Sequence, residues 1–252
     1  MADTPRITVV TGASRGIGAA VAVRLGRDGH HIAVGYERAR GAAEETARAV
    51  RAEGVPALPV QLDTSVEEDV DRLFDTVREE LGPVTGLVNN AGVTGPLGRF
   101  TETSPDVMRR VLDVNVLGAL LCARRALREM STAHGGAGGC LVNISSGAAT
   151  LGAPGEYVHY AASKAAVDAM TAGLAKEFGG EGVRVNSVQP GAVLTGMHAT
   201  MGDPDRPWKK AEAAIPMRRP GEPEEIAAAV AWLMSDEASF TNGAVLRVAG
   251  GA

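Results

Sequence analysis

Short apolar runs rich in β-branched residues alternate with amphipathic helical stretches along nearly the whole chain, and few folds satisfy that rhythm. Strand-like runs fall at residues 6–10, 31–35, 56–62, 86–88, 141–144, 183–188 and 245–248. Helical stretches fall between them at 19–27, 39–53, 66–81, 104–130 and 157–178, and another begins at Glu222. In the third of these, Val70, Leu73, Phe74 and Val77 share one face, while Ser104-Pro105 reads as an N-cap followed by Pro at the first helical position. Strict alternation of this kind predicts an α/β fold, a parallel, doubly wound sheet with helices on both faces. The length of 252 residues suits one domain, 1–252, with neither linker nor internal repeat. Gly135-Gly136-Ala137-Gly138-Gly139 lies between a helix and a strand and reads as a connector.

The first strand runs straight into Thr11-Gly12-Ala13-Ser14-Arg15-Gly16-Ile17-Gly18 and then a helix with Ile17, Val21 and Leu25 on its apolar face. Strand, glycine turn and helix form the setting of a dinucleotide-binding, Rossmann-type unit. Gly12 allows a tight turn, and Gly16 and Gly18 let backbone amides approach a pyrophosphate at the positive end of the helix. The spacing Gly-x-x-x-Gly-x-Gly is one residue longer at its first gap than the Gly-x-Gly-x-x-Gly fingerprint.

Tyr160 and Lys164 lie four residues apart, so one helical face presents both a phenol and an ammonium. An isolated phenol titrates near pH ~10, and a fixed cation favours the phenolate. Bringing the phenol to about pH 7 would take about 4 kcal/mol of differential stabilisation. The spacing alone equally describes a surface helix pair. With Asn143-Ile144-Ser145-Ser146 upstream and the glycine turn at the start, the pair reads as a proton-transfer site. Tyr157 is a rival phenol without a lysine four residues on, and His159 points about 100° away round the helix.

The net charge of −5 argues against a nucleic-acid partner, and no apolar run reaches the roughly 18 residues needed to span a bilayer. Met1-Ala2-Asp3-Thr4-Pro5 lacks the basic start and apolar stretch of a signal peptide, so a cytoplasmic location is expected. Cys122 and Cys140 both fall in apolar elements and read as core fillers. The five scattered histidines and two cysteines show no ligand spacing, so no metal is expected.

These motifs, in this order, resemble the classical short-chain dehydrogenase/reductase family over nearly the whole chain. Thr11-Gly12 through Gly18 resembles its cofactor turn, and Asn89-Asn90-Ala91-Gly92 its fourth-strand motif. Asn115 resembles its helix asparagine, Ser146, Tyr160 and Lys164 its catalytic set, and Pro190-Gly191 with Thr195 its nicotinamide-side loop. Residues 155–160 and 245–251 also resemble a branch labelled glucose dehydrogenase-like.

The resemblance implies hydride transfer between a nicotinamide and a carbonyl or secondary alcohol. Tyr160 would serve as acid in reduction and base in oxidation, with Lys164 lowering its pKa and holding the nicotinamide ribose. Ser146 would donate to the carbonyl oxygen, with Ser145 as a packing or capping partner. Asn115 would hold a water linking Lys164 to solvent, or be a satisfied core amide at a helix kink. The implied cofactor contacts are Gly12, Ser14, Arg15, Gly16, Ile17, Gly18, Tyr36, Arg38, Asp63, Thr64, Asn89, Ala91, Gly92, Pro190, Gly191, Val193 and Thr195. Asp63 would meet the adenine amino group, cap the helix before Val66, or do both.

At the end of the second strand, Tyr36 stands where NAD-preferring members commonly carry an Asp. Arg15 and Arg38 against the single carboxylate of Glu37 favour NADP(H), with NAD(H) as the alternative. A lid is expected at residues 196–216, whose Gly202, Pro204 and Pro207 prevent one regular helix. Met197, Met201 and Trp208 are candidate substrate contacts there, His198 either touches substrate or faces solvent, and Tyr157 outside the lid reads as a wall of the substrate pocket or a subunit contact. The substrate is an unassigned small ketone, aldehyde or polyol. A 3-oxoacyl carrier-protein reductase is the specific alternative, opposed by the lack of Lys or Arg in residues 131–139 and 179–182. A nucleotide-binding regulator or scaffold without turnover is the alternative of another class, opposed by the full catalytic set. By resemblance the protein would be a homotetramer, built on the apolar faces of the helices at 104–130 and 157–178 and on the strand at 244–248.

Overall fold

The computed structural model describes residues 5–252, so the N-terminal residues read for leader character lie outside it, apart from Pro5. Seven parallel strands form one sheet: β1 (Ile7–Val10), β2 (His31–Tyr36), β3 (Ala57–Gln61), β4 (Gly86–Asn89), β5 (Gly139–Ile144), β6 (Val183–Pro190) and β7 (Val245–Val248). Their spatial order is β3-β2-β1-β4-β5-β6-β7. The chain winds outward from β1 to β3, then returns to β1 and winds the other way through β4 to β7. That reversal opens a crevice at the carboxyl ends of β1 and β4, where ligands of such sheets bind.

Side chains alternate across the sheet, and the two faces are buried separately. Val10, Val34, Val142 and Val188 pack against α1 (Gly16–Arg27), α2 (Arg40–Ala52) and α10 (Pro223–Met234). On the opposite face Val9, Ala33, Leu141 and Val185 pack against α3 (Glu67–Glu80), α5 (Ala119–Met130) and α7 (Val158–Phe178). Both cysteines are fully sequestered in these layers, and burial pushes the Cys122 thiol up to about 12 and Cys140 to about 11.

The expected long helix over 104–130 is not regular. The α-helix α4 (Pro105–Leu112), capped by the Ser104 hydroxyl, passes into a π-helical turn over Asp113–Gly118 before α5 begins. The expected lid also divides, into α8 (Met197–Thr200) and α9 (Arg206–Ala214), with Gly202 at φ +89° between them. The remaining short helix, α6 (Ala148–Leu151), follows β5. Among the described residues no helix is long and apolar enough to cross a membrane, and no cluster of side chains could hold a metal ion.

Candidate active site

The glycine motif begins as a turn and ends inside a helix, because α1 starts at Gly16 rather than at residue 19. Gly12 sits at φ +63°, and a Cβ there would lie 2.9 Å from the Ala91 Cα. A Cβ at Gly18 would lie 2.5 Å from both the Asn90 Nδ2 and the Gly12 carbonyl oxygen. Only glycines let the turn close against the loop after β4, leaving the first amides of α1 free to face the crevice. Two side chains lock that closure. The Thr11 Oγ1 accepts from the amides of Asn90 and Ala91, each at 3.0 Å. The Asn90 Nδ2 donates to the carbonyls of Thr11 at 2.9 Å and Gly12 at 3.1 Å.

The result is a cleft of about 560 Å³, in whose lining Gly12, Ser14, Arg15, Gly16, Ile17, Gly18, Tyr36, Arg38, Asp63, Thr64, Ala91, Gly92, Thr195 and Met197 are brought together. Backbone donors at a helix start, glycines too crowded for any Cβ and a lining that carries Arg15, Arg38 and Arg110 fit a dinucleotide. Asn89 departs from its expected place. As the last residue of β4 its side chain turns inward, donating to the Ala119 carbonyl at 3.0 Å and the Asn143 Oδ1 at 3.1 Å. Asn90, one residue on, faces the cleft. Pro190, Gly191 and Val193 are not in the cleft lining: Gly191 donates to the Val248 carbonyl at 2.9 Å, and the Val193 carbonyl faces the His198 Nε2 at 2.9 Å. His198 is therefore buried rather than exposed.

Asp63 closes a local turn instead of capping α3, whose N-cap is Val66 with no side-chain bond. Its Oδ1 accepts from the Ser65 amide at 3.0 Å and hydroxyl at 2.6 Å, and its Oδ2 pairs with Arg110 at 3.1 Å. These bonds outweigh the cost of burial and hold the carboxyl below its ordinary range. Glu37 lies 3.0 Å from Arg38 and 3.2 Å from Arg110. Arg110 carries no motif and was not expected at this site from the sequence, since its partners are 73 and 47 residues away.

Outside the cleft's own lining, α7 carries Tyr160 and Lys164, both buried. The Lys164 Nζ donates to the Ile144 carbonyl at 2.7 Å and lies 5.8 Å from the centre of the Tyr160 ring. Burial pushes the lysine down to about 8, with Asp168 opposing. Burial also pushes the Tyr160 phenol up, against the lowering influence of the Ser146 hydroxyl and of Arg206. Desolvation thus outweighs the favouring of phenolate expected from Lys164. Ser145 and Ser146 divide as adjacent residues must. Ser145 donates to the Lys164 carbonyl at 3.1 Å inside the protein, while the half-buried Ser146 accepts from the Ala148 amide at 3.1 Å.

Asn115 is both a satisfied amide and a residue of an irregular helix. Its Nδ2 donates to the Val93 carbonyl at 2.9 Å and the Ser163 hydroxyl at 3.0 Å, and its Oδ1 accepts from the Val93 amide at 2.8 Å. Ser163 in turn donates to the Tyr160 carbonyl at 2.7 Å. A Cβ at Gly92 would lie 3.3 Å from the Asn115 Oδ1 and 3.4 Å from the Lys164 Nζ, so both groups border the same backbone.

Tyr157 stands edge-on to Tyr160, ring centres 5.1 Å apart, in a packed apolar cluster with Ala153, Met201 and the flanking Met197. The buried Arg206 donates to the Tyr157 hydroxyl and to Glu156, each at 2.6 Å. Trp208 is not in this cluster; it is 56% exposed on α9. His159 turns away as expected, its Nε2 2.8 Å from the Thr94 carbonyl.

A family model described as Enoyl-(Acyl carrier protein) reductase matches residues 12–252. An uncharacterized oxidoreductase, YgfF, of Escherichia coli (strain K12) is 43% identical over 97% of this chain and 99% of its own. Glucose 1-dehydrogenase 2 of Bacillus subtilis (strain 168) is 38% identical over 98% of this chain and 95% of its own. A solved short chain dehydrogenase from Burkholderia cenocepacia J2315, in complex with NADP, superimposes with a TM-score of 0.89 at 32% identity, covering 99% of this chain and 98% of that one.

Proposed function

The chain belongs to the short-chain dehydrogenase/reductase family and is an NAD(P)-dependent oxidoreductase, and on that premise we propose which residues carry its reaction and which cofactor it takes. The observation that carries the assignment is the meeting of Tyr160, Lys164 and Ser146 beside Gly92, which itself lines the glycine-rich cleft.

A bound nicotinamide supplies hydride to, or takes it from, the substrate carbon. Tyr160 gives its proton to the substrate oxygen in reduction and takes it back in oxidation. Its buried phenol stays protonated at neutral pH, which suits the acid role. Ser146 donates a hydrogen bond to the same oxygen as charge develops there. Lys164 carries its charge below about pH 8 and holds the ribose hydroxyls, while its field opposes the cost of forming phenolate in the dry site. Asn115 positions the loop at Val93 and holds a water beside Gly92 through which Lys164 is reprotonated.

The cofactor of choice is NADP(H), favoured by the exposed Arg15 at the mouth of the cleft and by the NADP bound to the Burkholderia relative. The substrate is a small ketone, aldehyde or polyol walled by Tyr157 and Met197 and covered by the lid at 196–216. A second and further copies cover exposed apolar side chains, Leu112, Leu117 and Leu120 on one side, Trp232, Phe240 and Val245 on another, giving a homotetramer. Two free, buried thiols suit a reducing cytoplasm.

Titration of wild-type and Tyr160→Phe protein with NADPH and NADH, then turnover on a panel of ketones, aldehydes and sugars, tests the reading. NADPH should bind at least tenfold tighter, about 1.4 kcal/mol. The variant should keep that affinity and lose turnover; a Tyr160→Phe enzyme as fast as wild type would refute the assigned mechanism.

A further inference from the structure

We propose that Arg110 sets the nicotinamide preference at the adenosine end of the cleft, acting through Glu37 rather than through the cofactor itself. The inference rests on the reading of the cleft as a nucleotide site, and it concerns a residue outside both the glycine turn and the end of β2.

Arg38 is not a free cation. It is 84% exposed in its side chain, and its Nη2 lies 3.0 Å from the Glu37 Oε1. The Arg110 Nη2 approaches that same oxygen from the other side of the cleft at 3.2 Å. The other nitrogen of the Arg110 fork, Nη1, bonds the Asp63 Oδ2 and the Ser65 hydroxyl, each at 3.1 Å. One guanidinium thus spans the two carboxylates of this corner, a task that suits the planar fork of arginine and not the point charge of lysine. Arg109, its neighbour, faces solvent instead and pairs with Asp106 at 2.8 Å.

The charges lining the cleft are Arg15, Arg38 and Arg110 against Glu37 and Asp63. A ribose 2′-phosphate, a monoester, brings close to two negative charges at neutral pH. With Arg110 in place the corner has a surplus of positive charge, Glu37 is tied back, and Arg15 can meet the phosphate. Without Arg110 the corner is neutral, Asp63 loses its ion pair, and Glu37 is left with one highly exposed partner. A carboxylate so released repels a phosphate and accepts from a bare 2′-hydroxyl, so selectivity moves toward NAD(H). Arg110 is a positioning residue in this scheme.

Equilibrium titration of the full-length protein with NADPH and with NADH, in wild type, Arg110→Gln, Glu37→Gln and the double variant, decides the matter. Arg110→Gln should weaken NADPH about tenfold or more, about 1.4 kcal/mol, and change NADH by less than about threefold. Adding Glu37→Gln to it should restore most of the NADPH affinity. A merely structural role would weaken both cofactors alike, leave their ratio unchanged and resist rescue by Glu37→Gln, which would overturn the proposal. A direct phosphate contact by Arg110 would lower NADPH affinity without rescue and would overturn it as well. Wild type that binds both cofactors equally would sink only the NADP(H) preference, because Arg110→Gln must still move the ratio toward NADH. Should Arg110→Gln fold poorly, Arg110→Lys gives the same reading: its point charge cannot span both carboxylates, and the ratio should shift in the same direction.

Discussion

Asn115 and Val93 hold each other by both of their polar ends: the side-chain amide donates to the Val93 carbonyl at 2.9 Å and accepts from its amide at 2.8 Å. Asn115 thereby takes the place of a neighbouring strand for the loop that follows β4, the loop that also carries Gly92. Asn115→Ala leaves both Val93 groups unpaired, which should cost about 1–3 kcal/mol in urea unfolding. It should also lower kcat, since the Ser163 hydroxyl, which donates to the Tyr160 carbonyl, loses the donor that orients it. Unchanged stability would show that water replaces the amide at no cost.

Gly12 is strained for any other residue by conformation and by space. Gly12→Ala places a Cβ at φ +63° and 2.9 Å from the Ala91 Cα, so the turn must open. Cofactor affinity should fall about tenfold or more, about 1.4 kcal/mol, for NADPH and NADH alike. A fluorescence titration that finds affinity within twofold of wild type would contradict the cradle described for this turn.

His30 makes stability depend on acid. It is buried beside the Thr8 hydroxyl at 2.9 Å, and burial pushes it down to about 4 from an ordinary value of 6.5. The unfolded chain binds this proton first, so the contribution is complete above about pH 6.5 and is lost as pH falls toward 4. Between about pH 7.5 and about pH 5 the unfolding free energy should fall by about 2 kcal/mol from this group. His198, also lowered by burial, adds a slope of the same sign. His30→Asn should flatten the dependence, and denaturant curves at the two pH values measure it.

The lid is tied down through Glu156. Its carboxylate meets Arg206 at 2.6 Å and Lys210 at 2.8 Å, both on α9. Glu156→Gln should loosen α9, raising KM several-fold with a smaller change in kcat and speeding proteolysis around Gly202. Equal KM and equal cleavage rates would place the hold on the lid elsewhere.

Much of this architecture was legible because the apolar period is local. β7 falls at the residues expected, and most other elements within a few residues of theirs. Capping chemistry was legible at Ser104 before α4, and the start of α10 was legible at Glu222, where the structure adds a capping box with Glu225. What escaped depends on partners remote in sequence. The π-helical turn is held by Val93, 22 residues from Asn115, and by Ser163, 48 residues away. Asn89 and Asn90 were read as one motif, yet neighbours on a strand face opposite ways, and only the extent of β4 decides which one faces the cleft. Trp208 is exposed rather than a substrate contact, and His198 is buried against the Val193 carbonyl rather than exposed, because the lid breaks at Gly202 into two short helices.

The π-helical turn at Asp113–Gly118 works as a phase shifter within one rod. Such a turn accommodates an extra residue in an α-helix, and each residue carries about 100° of rotation. That offset lets Val111 bury and Arg110 meet Glu37 and Asp63, while Cys122, Ala126 and Met130 remain turned to the sheet. Deleting a single residue between 113 and 118 would restore a plain α-helix, and with it would rotate the whole of α4 away from the nucleotide. The rod therefore tolerates substitution far better than any change in its length.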